Sequence, residues 1–403
     1  MAIRDEKSGE QSGENDMQKT FKTLVFPVGQ VNRLYEYANS RYSDLQRDGL
    51  SGTYNNTKRN YIGLFGHVKF MEALMYLYQA TKNKKYLEEC RKKIEFCMAM
   101  RRGNGVDDWW SHAGLERSDW IESNHLGILA LVVYEYFQAT GDSRYNGFAE
   151  DLMNKIPKVA GSGGAYVDGY DPTQCSLDDR CYLADNAEIL IGWWACWKMT
   201  GNTQYKRNYE EIFSFFDHHF KTTPKQPDLP AWLVGPKHVP YAEGTDSEVF
   251  CDQSHTTYSQ FFIARDIVLT GQTDQYQRLV KATDWAIRHA LFPDHLIGYN
   301  GRDDKMVGWS AYFAAQCYWA YHITGNDHYF RQAQKTLDAV FALQHKKTGK
   351  IVPMMPVTKK IEWRVMERNR AGLGEIWQLT AILESAALIA LTGTGILKFH
   401  HAD

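Results

Sequence analysis

Ala139-Thr140-Gly141-Asp142, followed by Tyr145, decides the fold of this chain, because the same corner returns along its whole length. Its other copies are Ala80-Thr81-Lys82-Asn83 with Tyr86, Met199-Thr200-Gly201-Asn202 with Tyr205, and Leu269-Thr270-Gly271 with Tyr276. Ile323-Thr324-Gly325-Asn326 with Tyr329 and a last copy at Leu391-Thr392-Gly393 complete the set. Each corner closes an apolar helical run and opens an amphipathic one. The Gly suits a left-handed C-cap, and the Asn, Asp or Ser behind it suits an N-cap. The corners recur roughly every 55 to 70 residues, too long a period for a 34-residue helical solenoid. A closed ring of helical hairpins fits that period.

The runs before the corners are apolar nearly all round and read as inner helices. They span about Tyr61 to Ala80, Asn124 to Ala139, Asn186 to Met199, His255 to Leu269, Val307 to Ile323 and Gly372 to Leu391. The runs after the corners carry charged outer faces, as in Tyr86-Leu-Glu-Glu-Cys-Arg-Lys-Lys-Ile, and read as an outer layer. The last inner helix has no room for an outer partner before Asp403, so an N-terminal helix over about Val28 to Tyr42 is expected to close the ring. The expected fold is all-α: an (α/α) toroid of six hairpins, or of seven if an irregular stretch hides another, with long rim loops. Residues 19–403 read as one catalytic toroid, and residues 1–18 as a disordered lead or a scar of cloning.

A formal charge of −2 over 403 residues gives no global field to draw in nucleic acid or a membrane surface. No apolar run reaches the 18 or more residues of a membrane span. Met1 to Asp16 is polar and lacks the apolar core of a signal peptide. A mature chain whose export signal has been removed, secreted or periplasmic, is the reading adopted. With 12 Trp and 24 Tyr, aromatic residues suit either sugar stacking or the filling of a large helical core. Of seven cysteines, Cys90, Cys97, Cys196 and Cys317 fall in helices as small core residues, while Cys175 and Cys181 flank one loop and could pair.

Connections from outer to inner helices are long: about Arg101 to Ser123, Pro157 to Asp185, Lys221 to Ser254, Phe292 to Met306 and His345 to Asn369. Loops of this length usually carry function. In the expected toroid all five meet on one rim, at the N-termini of the inner helices, where unpaired N–H groups favour anions. That rim holds Trp109, Trp110, Asn124, His125, Tyr182, Asn186, Lys237, Tyr241, His255, Tyr258, Tyr299, Arg302, Trp309, Arg368 and Arg370. Asp185, with Glu188 three residues on, also matches a capping box, and Ser123 and Ser254 read as caps. Asp107-Asp108, Asp178-Asp179 and Asp303-Asp304 are loop turns or carboxylates for a structural calcium. Trp193, Trp194 and Trp197 lie deeper and read as core. The last long loop is basic through Lys346, Lys347, Lys350, Lys359, Lys360, Arg364, Arg368 and Arg370, against Glu362 and Glu367. Lys346 and Lys347 also suit a helix C-terminus, but Arg364, Arg368 and Arg370 do not. With Lys237, Arg302 and Lys305 they favour an anionic substrate, since Arg holds carboxylates in a bidentate fork.

The corners, the Asn at an inner-helix start, the rim His255 and the loop Gly298-Tyr299-Asn300-Gly301-Arg302 together resemble the (α/α)-toroid polysaccharide lyases of the alginate and glucuronan lyase type. The resemblance implies β-elimination on a uronate polymer. From the residues alone, Asn186 or Asn124, His255, Tyr299 or Tyr258, and Arg302 or Arg368 could supply the roles; the resemblance implies Asn186, His255 and Arg302 at the carboxylate and Tyr299 as proton carrier. Asn124, His125, Trp109, Trp110, Tyr182, Tyr258, Tyr241, Lys237, Trp309, Arg368 and Arg370 would line the cleft. No cofactor is required and no metal site is assigned; an anionic polysaccharide is the expected partner of a monomer. A glycoside hydrolase on the same toroid, including an unsaturated uronyl hydrolase, would instead use rim carboxylates such as Asp108, Asp185 and Asp252. A sugar epimerase would use rim His residues as acid and base, and a non-catalytic glycan binder would need neither His255 nor Tyr299.

Overall fold

The computed structural model describes residues 21–25, 27–49, 64–99, 121–159, 162–167, 169–171, 176–177, 183–223, 226–232, 256–298, 305–352, 354–355 and 373–399. Among them, twelve α-helices alternate between two layers. The inner ring is α2 (Leu64–Thr81), α4 (Ser123–Thr140), α6 (Leu183–Thr200), α8 (Thr256–Thr270), α10 (Val307–Thr324) and α12 (Leu373–Gly393). The outer ring is α1 (Val28–Gly49), α3 (Lys84–Ala99), α5 (Asn146–Asn154), α7 (Thr203–His219), α9 (Tyr276–His289) and α11 (Asp327–Ala342). Each inner helix packs on the next, and α12 packs back on α2, so the ring is closed as an (α/α)6 toroid. No helix among the described residues is long and apolar enough to cross a membrane.

The corners follow a shared design. Gly141, Gly201, Gly271 and Gly325 adopt φ of 74°, 72°, 72° and 70°, the left-handed region that ends a helix cheaply only with Gly. The preceding Thr adds two bonds. Thr140 donates to Tyr136 O at 2.8 Å and accepts Asp142 N–H at 3.1 Å, and Thr81, Thr200 and Thr324 repeat the pattern. Asn202 Oδ1 then caps α7 by accepting Gln204 N–H at 2.9 Å, as Asn326 does for His328 N–H. The Tyr behind the corner is buried and ties its outer helix to the one before it. Tyr145 Oη donates to Glu95 at 2.9 Å, Tyr205 to Glu150 at 3.1 Å and Tyr329 to Asp284 at 2.8 Å. The sixth corner departs from expectation: α12 runs through Gly393, and the left-handed residue is Gly395, with φ 71°.

Ring closure by the N-terminus is as expected, with α1 longer than anticipated. The segment ahead of it is laced to α10 and α11: Lys22 N–H donates to Tyr321 Oη at 2.8 Å, Tyr318 Oη donates to Lys22 O at 3.1 Å, and Val25 N–H donates to Gln334 at 2.9 Å. Cys90, Cys97, Cys196 and Cys317 are buried thiols, and Cys175 and Cys181 lie outside the described residues.

Two glycines set the tightest crossing in the inner ring. A Cβ on Gly127 would lie 2.0 Å from Glu188 O, and one on Gly192 would lie 2.6 Å from Gly127 Cα. Backbone therefore meets backbone where α4 crosses α6. Gly127→Ala must push the helices apart and is expected to destabilise the fold by about 1–3 kcal/mol, read as a lower urea midpoint at unchanged m-value.

The long connections are not wholly irregular. β1 (Ile121–Glu122), β2 (Gly169–Asp171) and β3 (Ser176–Leu177) form an antiparallel sheet ahead of α4 and α6. β4 (Phe220–Thr223) pairs with β5 (Gln226–Trp232), and β6 (Lys305–Met306) with β7 (Met354–Met355). Loops packed over a barrel end need partners for their backbone groups, and short ladders supply them.

Candidate active site

The described part of the rim is built from the first turns of α4, α6, α8 and α10. At the start of α4, Asn124 is almost fully buried. Its Nδ2 donates to Asp185 Oδ1 at 3.1 Å and to Glu188 Oε2 at 2.8 Å, across the glycine crossing, while its Oδ1 accepts His125 N–H at 2.9 Å. The capping-box reading of Asp185 is corrected here. α6 begins two residues earlier, at Leu183, so Asp185 lies inside the first turn and its carboxylate faces Asn124. Ser123 is likewise already helical, and its buried hydroxyl makes no hydrogen bond among the described residues.

Asn186, expected as the carboxylate-neutralising amide, is engaged with backbone. It is fully buried, its Oδ1 accepts Tyr166 N–H at 2.8 Å, and its Nδ2 donates to Tyr166 O at 3.2 Å. Both ends of the amide thus mimic a backbone pair and pin residues 162–167 against α6. His125 and Trp309 are also buried, at 1 % and 2 % exposure.

At α8 and α10 the described residues bring two stretches together. Thr257 Oγ1 donates to Gly298 O at 3.2 Å. Ile297 N–H donates to Ser310 Oγ at 2.9 Å, and Gly298 bridges Lys305 across the base of the loop 299–304. The chain around His255 and the loop carrying Tyr299 and Arg302 are therefore anchored to one another at their stems. His255, Tyr299 and Arg302 themselves lie outside the described residues. So do Trp109, Trp110, Tyr182, Lys237, Tyr241, Arg368, Arg370 and the three Asp-Asp pairs; for Tyr258 the described part is its backbone in α8.

Beneath the rim lies a set of residues that the reading of the inner helices as apolar all round did not anticipate. Lys69 Nζ lies 2.6 Å from Glu72 Oε2, 3.3 Å from Glu384 Oε2 and 3.6 Å from Glu188 Oε1. Arg265 Nη1 lies 2.9 Å from Glu72 Oε1, and Arg265 Nη2 lies 3.0 Å from Asp266 Oδ1. Tyr312 Oη donates to Glu384 Oε2 at 2.6 Å, and Tyr76 Oη donates to Glu72 Oε1 at 3.3 Å. The ring of Phe262 sits between the cations, 4.5 Å from Lys69 Nζ and 4.6 Å from Arg265 Cζ. With Asn124 joining Glu188, every inner helix contributes a side chain to this network at the barrel axis.

Burial and charge act in opposition here. Burial pushes the carboxyls of Glu188 and Asp266 up, to about 7 and about 8, with Lys69 and Arg265 opposing the shifts. Burial, and then the like charge of Glu72, also raises Glu384. Glu72 moves the other way: burial alone would raise it, but Lys69 and Arg265 together more than offset that. Among the described residues no group of three or more His, Cys, Asp or Glu is arranged to hold a metal ion. The Asp-Asp pairs read as loop turns or calcium carboxylates lie outside them.

No protein-family model and no curated sequence matches the chain. Solved structures do. A cellobiose 2-epimerase from Bacillus thermoamylovorans shares the fold with a TM-score of 0.61 at 12% identity, over 82% of this chain and 92% of that one. A polysaccharide lyase shares it with a TM-score of 0.56 at 12% identity, over 91% and 99%. An α-1,6-mannanase of Salegentibacter, in an inactive form with two adjacent aspartates replaced by asparagine and α-1,6-mannotriose bound, gives 0.55 at 12% identity over 90% and 99%. At such identities the likeness shows the (α/α) toroid.

Proposed function

We propose that this chain is a polysaccharide lyase that cleaves a uronate-containing polymer, alginate or glucuronan, by β-elimination at the loop-bearing mouth of the toroid. The observation that carries the reading is the hydrogen bond from Thr257 to Gly298. Thr257 is two residues from His255 in sequence and Gly298 is next to Tyr299, and the bond joins the described stems of those two segments, which supports the reading. Supporting it, the fold is shared along nearly the whole chain with a polysaccharide lyase, and the structures described above that share it act on carbohydrates.

The chemistry needs few groups. The C5 proton of a uronate is weakly acidic while its carboxylate keeps a full charge. Arg302 and His255 hold that carboxylate and stabilise the charge that grows on it. Tyr299 takes the C5 proton, a C4=C5 double bond forms, the C4–O4 bond breaks, and a phenol returns a proton to the departing O4. Asn186, engaged with Tyr166, contributes by fixing the wall beside α6 rather than by touching the sugar.

A second reading, glycoside hydrolysis, draws on the mannanase, whose inactive form lacks two adjacent aspartates. This chain carries Asp107-Asp108, Asp178-Asp179 and Asp303-Asp304 in its long connections. Incubation with polymannuronate, polyguluronate, glucuronan and hyaluronan separates the two. Elimination raises ultraviolet absorbance from the unsaturated uronate, whereas new reducing ends without that absorbance favour the aspartates.

A further inference from the structure

The axial network contains four carboxyl groups, Glu72, Glu188, Asp266 and Glu384, but two cations, Lys69 and Arg265, with all six side chains at most 1 % exposed. Fully ionised, it would bury two uncompensated negative charges, at a cost of several kcal/mol per ion. Two carboxyl oxygens stand apart in their contacts. Asp266 Oδ2 and Glu384 Oε1 make no hydrogen bond among the described residues, and the latter lies 3.9 Å from Arg265 Nη1. Buried carboxylates normally collect several donors. The other oxygen of each is engaged, Glu384 Oε2 by Tyr312 and Lys69 and Asp266 Oδ1 by Arg265, whereas Glu72 is held at both oxygens by Lys69, Arg265 and Tyr76, and Glu188 by Asn124 at one with Lys69 near the other.

We infer that the axial network is a protonation-dependent lock on the inner ring, in which Asp266 and Glu384 carry protons taken up on folding and the barrel loosens when alkali removes them. The groups that bear on the pair are Lys69, Glu72 and Tyr76 from α2, Glu188 from α6, Tyr209 from α7, Arg265 beside Asp266 on α8, and Tyr312 from α10 opposite Glu384 on α12, with Asn124 of α4 joined through Glu188. Glu135 adds like charge near Glu72. Asp266 has Arg265 beside it, and Glu384 shares Lys69 and Arg265 with Glu72, so the two cations are divided among four carboxyls. The device stands whether the mouth eliminates, hydrolyses or epimerises, because it rests on the inner helices alone.

The sign follows from the upward direction of both shifts. A carboxyl raised on folding contributes its stability in full below its unfolded value, near 4. That contribution is lost as pH rises toward the folded value, about 8 for Asp266. Two extra protons in the folded state make the folded-to-unfolded ratio fall by up to about a hundredfold per pH unit within that window.

The test is urea unfolding of the full chain between about pH 5 and pH 8, beside the double variant Asp266→Asn, Glu384→Gln, whose amides imitate the protonated acids. The variant is expected to match the parent at the acid end, to exceed its stability at the alkaline end, and to lose two protons' worth of pH slope. An unchanged slope, or a variant weaker than the parent throughout, overturns the inference. Should the variant not fold, infrared spectra of the parent at neutral pH decide. A protonated-carboxyl carbonyl band that weakens in the single variants Asp266→Asn and Glu384→Gln upholds the lock; no band, or a band unchanged in both, overturns it.

Discussion

Arg265→Met is expected to unfold much of the population at neutral pH, because it removes one of the two cations among four buried carboxyls. Glu72 would lose its 2.9 Å partner and Asp266 its 3.0 Å partner, both at full burial. Breaking one side of a buried ion pair costs about 3–5 kcal/mol, a large share of the 5–15 kcal/mol that holds a domain together. Methionine fills similar volume, so the loss reports charge rather than a cavity. The deficit is expected to shrink toward pH 5, where protonation neutralises the stranded acids. Urea midpoints at the two pH values check this; equal losses at both would assign the effect to packing.

Tyr299→Phe carries the largest expected effect on activity. Removing the phenol from a proton carrier lowers the rate by roughly 10²–10⁴-fold. Stability should hardly move, because the loop 299–304 is anchored through backbone and side-chain bonds at its base, from Thr257 to Gly298 and from Ile297 to Ser310, that do not involve the phenol. Turnover on uronate polymer, measured beside the thermal midpoint, separates a lost proton carrier from a lost fold. Full activity in the variant would pass the role to another residue.

The toroid was legible in the chain because its corners are local. A Thr, a left-handed Gly and a capping Asn act within a few residues, and each leaves its mark in the sequence. Corner positions therefore carried over, and the sixth moved to Gly395 because a helix end frays without changing the ring. The axial charges were equally visible, as Lys69 and Glu72 within Val68-Lys-Phe-Met-Glu-Ala and as Arg265-Asp266 within Ile263-Ala-Arg-Asp-Ile. A charge inside a helix that is apolar all round has to find a partner. What periodicity could not supply was which helix provides it, since Arg265 reaches Glu72 across 193 residues. Asp185 was misread because capping-box spacing carries no information on where the helix starts, and the chain enters α6 at Leu183 instead. Strand β5 was missed because Pro227 and Pro230 erase the usual strand signature. Of the site, the stems joining His255's neighbourhood to Tyr299's loop are visible in the structure. His255, Tyr299 and Arg302, expected to do the chemistry with Asn186, lie outside the described residues.

Mass spectrometry of the oligosaccharides released from polymannuronate and glucuronan tests the lyase proposal most directly. Elimination predicts fragments whose new non-reducing ends are lighter by one water than the hydrolytic products. Fragments with the full complement of water at every new end would contradict it.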